Sequence, residues 1–287
     1  MNSSPAELLA GIGRRLAERA RRSVLAHRDH FTVRRVDQVW SPAGAGCQQA
    51  LLWQGPAVRT TLFRLARGAA LPWHGDVTGQ EILVLEGRIR ARGAVVGDSV
   101  NHPNCSDRTD RTDRTDCTDH TNCADIAAEP LLIPWAYALR SKAEAGRLNA
   151  TDAGALVYVR QLLVDPTTLP EPEAQWWQLD RAPLHLVLSG ARRWRPNFPG
   201  VEVLPLWGNA KVASMLVRFA AGAGVPDHAH AVQEDCLMLE GDMFLGDILL
   251  RPGDYQRAAA GSRHFGEMSD VGGTFFFHGA IDPVLRV

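Results

Sequence analysis

The chain has 287 residues, 45% of them hydrophobic, and a formal net charge of -1, which is enough apolar material for two ordinary domains, each with its own core. Near-neutral charge gives no electrostatic reason to expect nucleic acid or an anionic membrane as partner. No apolar run reaches the roughly 20 residues that span a bilayer, and the N-terminus lacks a signal-peptide core, so a cytoplasmic protein is expected.

Residues 1–30 form the first predicted element. Leu8, Leu9, Ile12, Leu16, Ala20, Val24 and Leu25 recur at helical spacing between Pro5 and His27, with arginines on the other side, which predicts an amphipathic helix packed on the first domain with its arginine face in solvent. Short β-type runs follow at His30–Val36, Ala50–Trp53, Val58–Leu65 and Ile82–Leu85. Turn residues separate them, as in an antiparallel sandwich or barrel. About residues 93–128 an insertion carries the repeat Asp107-Arg-Thr-Asp-Arg-Thr-Asp-Arg-Thr-Asp116, too poor in apolar residues to bury a core. Cys117, His120 and Cys123, with Cys105 and His102 upstream, have the look of a zinc clip. A tripeptide repeat that swaps Cys and His for Arg explains the spacing equally well. The five cysteines, these three with Cys47 and Cys236, are an odd number, which argues against a secreted disulfide scaffold.

An internal repeat then decides the architecture. A shift of 154 positions places Trp40, Gly46, Trp53, Leu62, Arg64, Gly68, Pro72, His74 and Gly87 on Trp194, Gly200, Trp207, Leu216, Arg218, Gly222, Pro226, His228 and Gly241. Past the insertion a shift of 118 places Leu131, Pro134, Tyr137 and Gly154 on Leu249, Pro252, Tyr255 and Gly272. The chain therefore reads as two copies of one all-β unit, residues 31–163 and 184–287, joined by a linker over 164–183. Trp176 and Trp177 in that linker could line a groove or seal the interface between the copies.

The chemistry concentrates in the second copy. His228 and His230 lie two apart on an extended segment and so point to one face; Glu234 opens the next strand-like run, and His264 follows in Gly261-Ser-Arg-His264. Three imidazoles and a carboxylate make a shell for one divalent transition metal with room for water or substrate. Cys236 and Met238 share the inward face of the Glu234 strand, where a thiol is either a redox-sensitive neighbour or packing. His185 and His278 read as structural. At the four ligand positions the first copy has His74, Asp76, Gln80 and Gly146. Asp76 could still coordinate, and Glu81 could substitute with a register slip, but Gly146 offers no ligand. This copy reads as a barrel that kept its packing and lost its metal, either supporting the second or holding a metal-free pocket.

The spacing Gly222-x5-His228-x-His230-x3-Glu234-x6-Gly241 resembles the first cupin motif, and the two copies together resemble a bicupin. The closer resemblance is to ChrR-like cupin domains, found at the C-terminus of zinc-dependent anti-sigma factors and in stand-alone proteins. These take their last ligand from a Gly-Ser-Arg-His run and have a degraded second motif, here Gly246-x5-Pro252-Gly253-Asp254-Tyr255-Gln256. The resemblance implies an all-β fold of two tandem cupin (double-stranded β-helix, or jelly-roll) barrels behind a short N-terminal helix, with His228, His230, Glu234 and His264 converging inside the second. It favours zinc, with iron, manganese and nickel as alternatives, and a stress-linked sensor or regulatory role. The anti-sigma helical zinc domain has no counterpart in the thirty-residue N-terminal segment. The alternative is a metal-dependent dioxygenase of the diketone- or flavonol-cleaving type, in which Glu234 would be a base and Tyr255 or Arg263 would steady an anion. A small-molecule ligand, a regulatory protein partner and a homodimer are the associations expected.

Overall fold

The computed structural model describes residues 5–92, 129–142, 148–177 and 184–281. The Asp-Arg-Thr repeat, the Cys117–Cys123 spacing and Gly146 lie outside them. Both copies form antiparallel sheets, and the repeat reappears as topology. The first has strands Trp40–Pro42, Cys47–Gln54, Val58–Leu65, Leu148–Leu162, Gly79–Ala91, Tyr137–Ser141 and Leu184–Val187 in that spatial order. The second has Arg195–Phe198, Val201–Gly208, Val212–Phe219, Gly273–Ala280, Glu234–Gly241, Tyr255–Ala258 and His30–Val33. Position for position these are one sheet built twice. Glycines that both copies keep mark where backbones touch: Gly241 has φ +72°, and a Cβ there would lie 1.9 Å from the Gly272 carbonyl oxygen, while its twin Gly87 would meet that of Gly154 at 2.2 Å. No larger residue fits these strand crossings.

The outermost strand of each sheet comes from the other copy. His30–Val33 pairs with Tyr255–Ala258 of the second barrel, His30 opposite Ala258, and Leu184–Val187 pairs with Tyr137–Ser141 of the first, Leu184 opposite Arg140. Residues 31–33, read from the sequence with the first copy, thus pair with the sheet of the second. The repeat alignment equates residue 30 with 184 and cannot say which sheet either joins. Backbone pairing at an open edge decides that.

The N-terminal helix, Pro5–His27, also differs from expectation. Leu9, Ile12, Leu16, Val24 and Leu25 are exposed, and the contacts of its last turn go to the second barrel, with His27 Nε2 2.7 Å from Asp247 Oδ1. Arg34 and Arg35 continue the attachment through Asp254: Arg34 Nη1 lies 3.0 Å from Oδ2, and the Arg35 amide donates to Oδ1 at 2.8 Å.

Between the barrels lies a core shared by both. Leu52, Leu62, Tyr158, Leu216, Tyr255 and Phe276 are buried in one cluster with Trp176 and Trp177, so the paired tryptophans seal the interface. Polar groups cross the same surface. Arg160, fully buried, holds Asp235 at 3.1 Å and Glu81 at 3.6 Å, and Arg257 holds Asp235 at 2.7 Å. Tyr137 and Ser214 donate to Glu81, and Tyr255 donates to Asp235. Glu81 thus faces the interface and is not a ligand inside the first barrel. Tyr255 is likewise turned away from the candidate site.

Candidate metal centre

Alternation along two neighbouring strands builds the site. On Glu234–Gly241, Glu234, Cys236 and Met238 face the barrel interior while Asp235 faces the interface; on Tyr255–Ala258, Gln256 faces in while Tyr255 and Arg257 face the interface. Two short strands close the barrel end, with His228 directly opposite His264 in register. His228, His230 and His264 are all buried, and one nitrogen of each lies within 4.8 Å of the others. The remaining nitrogens are tied off. His228 Nδ1 is 3.0 Å from the Pro226 carbonyl oxygen, His230 Nδ1 2.9 Å from Ser262 Oγ, and His264 Nε2 3.2 Å from Gln256 Oε1. These contacts fix the rings so that His228 Nε2, His230 Nε2 and His264 Nδ1 converge, as outer partners do for metal-binding imidazoles.

Two carboxylates flank the imidazoles. Glu234 Oε2 is 3.6 Å from His230 Nε2, and its Oε1 is 3.6 Å from His264 Nδ1. Glu267 Oε2 lies 3.6 Å from His264 Nδ1 and 3.8 Å from His228 Nε2. Glu267 was not legible as a site residue from spacing to the cupin-like motif; its only signal is its place three residues after His264. Gln256 and His30 were missed too. The His30 ring stacks on His264 with centroids 5.0 Å apart. Arg263 is exposed, its guanidinium over Phe265, and takes no part in the site.

The electrostatics show what the pocket lacks. Burial, followed by the neighbouring rings of His264, His228 and His30, pushes the His230 pKa down to about 2. Burial also pushes Glu234 up, against the pull of His264 and His228. At His264 burial opposes the charged form, yet Glu267 and Glu234 outweigh it and raise the pKa. His230 Nε2 and His264 Nδ1 are buried without a hydrogen-bond partner. Orphaned acceptors beside desolvated carboxylates are costly, and a divalent cation supplies both missing interactions at once. The residues fit such an ion. Burial, then Glu234 and Glu267, raises the Cys236 thiol well above its ordinary range, and its side chain packs in the core cluster with Met238 and Met243.

A cavity of about 70 Å³ adjoins the site, room for several water-sized groups. His228, Glu234 and Glu267 form its polar end, and Val203, Val217 and Phe277 are among its apolar walls.

The first barrel fills the matching positions differently. Across its strands Arg59, Gln161, Gln80 and Arg140 stand in one row, each opposite the next. Ala213, Gly279, Glu234 and Ala258 take the corresponding positions in the second barrel. Arg140 is fully buried and donates from Nε to Gln80 Oε1 at 2.9 Å, so a guanidinium bonds the residue that corresponds to Glu234. Asp76 is exposed and pairs with Arg59 at 3.4 Å. His74 lines a separate, open pocket with both.

Comparison with known proteins agrees with this architecture. The chain is a cupin-fold protein of two tandem barrels. Within it, residues 184–282 match the ChrR Cupin-like domain family. Among solved structures, the E. coli protein Ylba superposes with a TM-score of 0.57 at 13% identity, over 91% of this chain and 94% of that one. A candidate dioxygenase from Nostoc punctiforme gives 0.58 at 14% identity, covering 91% and 85%. The Streptomyces albus enzyme HEPD, solved with 2-hydroxyethylphosphonate and Fe(II), gives 0.54 at 8% identity, covering 88% and 76%. At such identities these likenesses speak to the fold. A search of curated proteins by sequence returned no match. No described helix is long and apolar enough to cross a membrane.

Proposed function

We propose that the second barrel is a metal-dependent sensor centre, in which His228, His230, His264 and Glu234 hold one divalent transition metal, zinc in the first place, and a change in its coordination is passed to a regulatory partner. The observation that carries this reading is the alternation described above. Glu234 is adjacent to Asp235, and Gln256 to Arg257, so each strand that supports the site also supports the buried Arg160–Asp235–Arg257 network. A shift of either strand on loading or release of the metal would disturb that interface. The match of this barrel to the ChrR Cupin-like domain supports the same reading.

The apolar cavity favours a second reading, a dioxygenase acting on a small, largely apolar molecule. Bound iron or manganese would supply an electrophilic centre able to engage dioxygen and an oxygen-bearing ligand. Val203, Val217 and Phe277 would exclude water from that ligand, while Glu234 and Glu267 would accept its polar end. Elemental analysis of the protein as isolated, followed by oxygen-uptake measurements with small diketones, separates the two. Stoichiometric zinc without turnover is the expected result; iron or manganese with substrate-dependent oxygen uptake would overturn the sensor reading in favour of the enzyme.

A further inference from the structure

His30 enters the second barrel on a strand whose counterpart in the first carries Leu184. Its ring lies nearly parallel to His264, tilted by 25° at 5.0 Å, with the edge of His27 5.7 Å away on another side. The ring lies near the Ala26 carbonyl, yet neither of its nitrogens makes a hydrogen bond of normal geometry. It meets its neighbours His264, His230 and His27 ring against ring. The same strand reaches His264 by a second route: Thr32 Oγ1 accepts from Gln256 Nε2 at 3.3 Å, and Gln256 Oε1 lies 3.2 Å from His264 Nε2. One four-residue strand thus holds His264 by its face and, through one amide, by its edge. Opposite it, Ala258 leaves the space that Arg140 fills in the first barrel.

We infer that His30 is a positioning residue of the metal centre, and that the strand His30–Val33 and the metal stabilise one another's binding. The inference rests on the metal reading of the site. Its physical basis is twofold. Flat stacking removes the rotational freedom of the His264 ring that would otherwise be lost when Nδ1 takes a cation. A ring that carries part of a cation's charge also attracts the π-face beside it more strongly than a neutral ring does. Linkage then requires reciprocity: whatever affinity the docked strand adds to the metal, the metal adds to the docking of the strand and of the helix Pro5–His27 behind it. The N-terminal segment is in this way a second element, besides the barrel interface, that reports occupancy.

The test uses the full chain. His30→Leu installs the residue found at the matching position of the other barrel, and His30→Phe keeps a flat ring without nitrogens. Metal affinity is measured by competition with a chromophoric zinc chelator, and geometry by the visible spectrum of the Co(II)-loaded protein. The Leu variant is expected to lose about 10-fold in affinity with an altered Co(II) spectrum, the range seen when outer partners of metal ligands are removed, and the Phe variant to recover most of it. In the wild type, zinc should slow hydrogen exchange at residues 30–33. The inference fails if the Leu variant binds zinc within twofold of wild type with an unchanged Co(II) spectrum, or if exchange in this strand ignores zinc. Should the Leu variant not fold, the Phe variant and the wild-type exchange experiment still decide. A wild-type chain that binds neither zinc nor cobalt removes the metal reading itself, a different failure from loss of linkage alone.

Discussion

At the scale of single residues, the barrels differ in side-chain volume along one cross-strand row as well as in the residues at the candidate ligand positions. Ala213, Gly279 and Ala258 set only small side chains in the row of Glu234, and at Gly279 even a Cβ would lie 3.1 Å from the Glu234 Cγ. Arg59, Gln161 and Arg140 set long polar side chains in the row of Gln80, and Arg140 donates to it. Ala258→Arg should therefore abolish zinc binding, because a guanidinium opposite Glu234 satisfies the carboxylate and repels a cation. His264→Ala should do the same, while His74→Ala leaves metal content unchanged; elemental analysis of the three variants checks this, and equal losses for His264 and His74 would place the metal in the wrong barrel. The candidate site was legible in the sequence because His228, His230 and Glu234 lie close together and obey strand periodicity. Ala258 was not, since an alanine carries no chemical signal until the arginine at its twin position is seen to fill the same space. Glu267, Gln256 and His30 escaped for a related reason: their role depends on which residue lies across the barrel.

At the scale of elements, strands with two working faces dominate. The fold class and most strands were legible from period-two patterns and the two repeat offsets, but the exchange of His30–Val33 and Leu184–Val187 was not, because a sequence shift that equates two strands is silent about their partners. The inter-barrel faces carry the more unusual chemistry. Burial raises the Glu81 pKa to about 7, opposed by Arg160, Ser214 and Tyr137. A carboxyl whose folded-state pKa lies above its ordinary 4.5 contributes stability that is fully present below the unfolded value and is lost as pH rises through the folded one. Glu81→Gln has no such titration, and its carboxamide oxygen can still accept from Tyr137 and Ser214. Relative to that variant, the wild type should lose roughly 1–3 kcal/mol between pH 4.5 and pH 8. Urea denaturation of both proteins across that range measures the difference; a gap that widens in favour of the wild type as pH rises would show that the Arg160 ion pair, 3.6 Å away, outweighs burial.

At the scale of the whole molecule, strand exchange and a shared core make two barrels into one cooperative body. Each sheet takes its outermost strand from the other copy, so neither can complete its hydrogen bonding alone. The cluster containing Leu52, Tyr158, Leu216 and Phe276 belongs to both, and Arg160 of the first barrel neutralises Asp235 of the second inside it. Pulling the barrels apart would expose those apolar faces to water and break the Arg160–Asp235 pair that spans them, leaving Asp235 only Arg257 and Arg160 only carboxylates outside the second barrel. Tandem domains joined only by a linker unfold separately, whereas these should not. Differential scanning calorimetry of the zinc-loaded chain should show a single transition, with the van't Hoff enthalpy close to the calorimetric one, and chelation of the metal should move the whole transition to lower temperature. Two resolved transitions, with only one responding to the chelator, would mean that the second barrel folds and senses metal independently of the first.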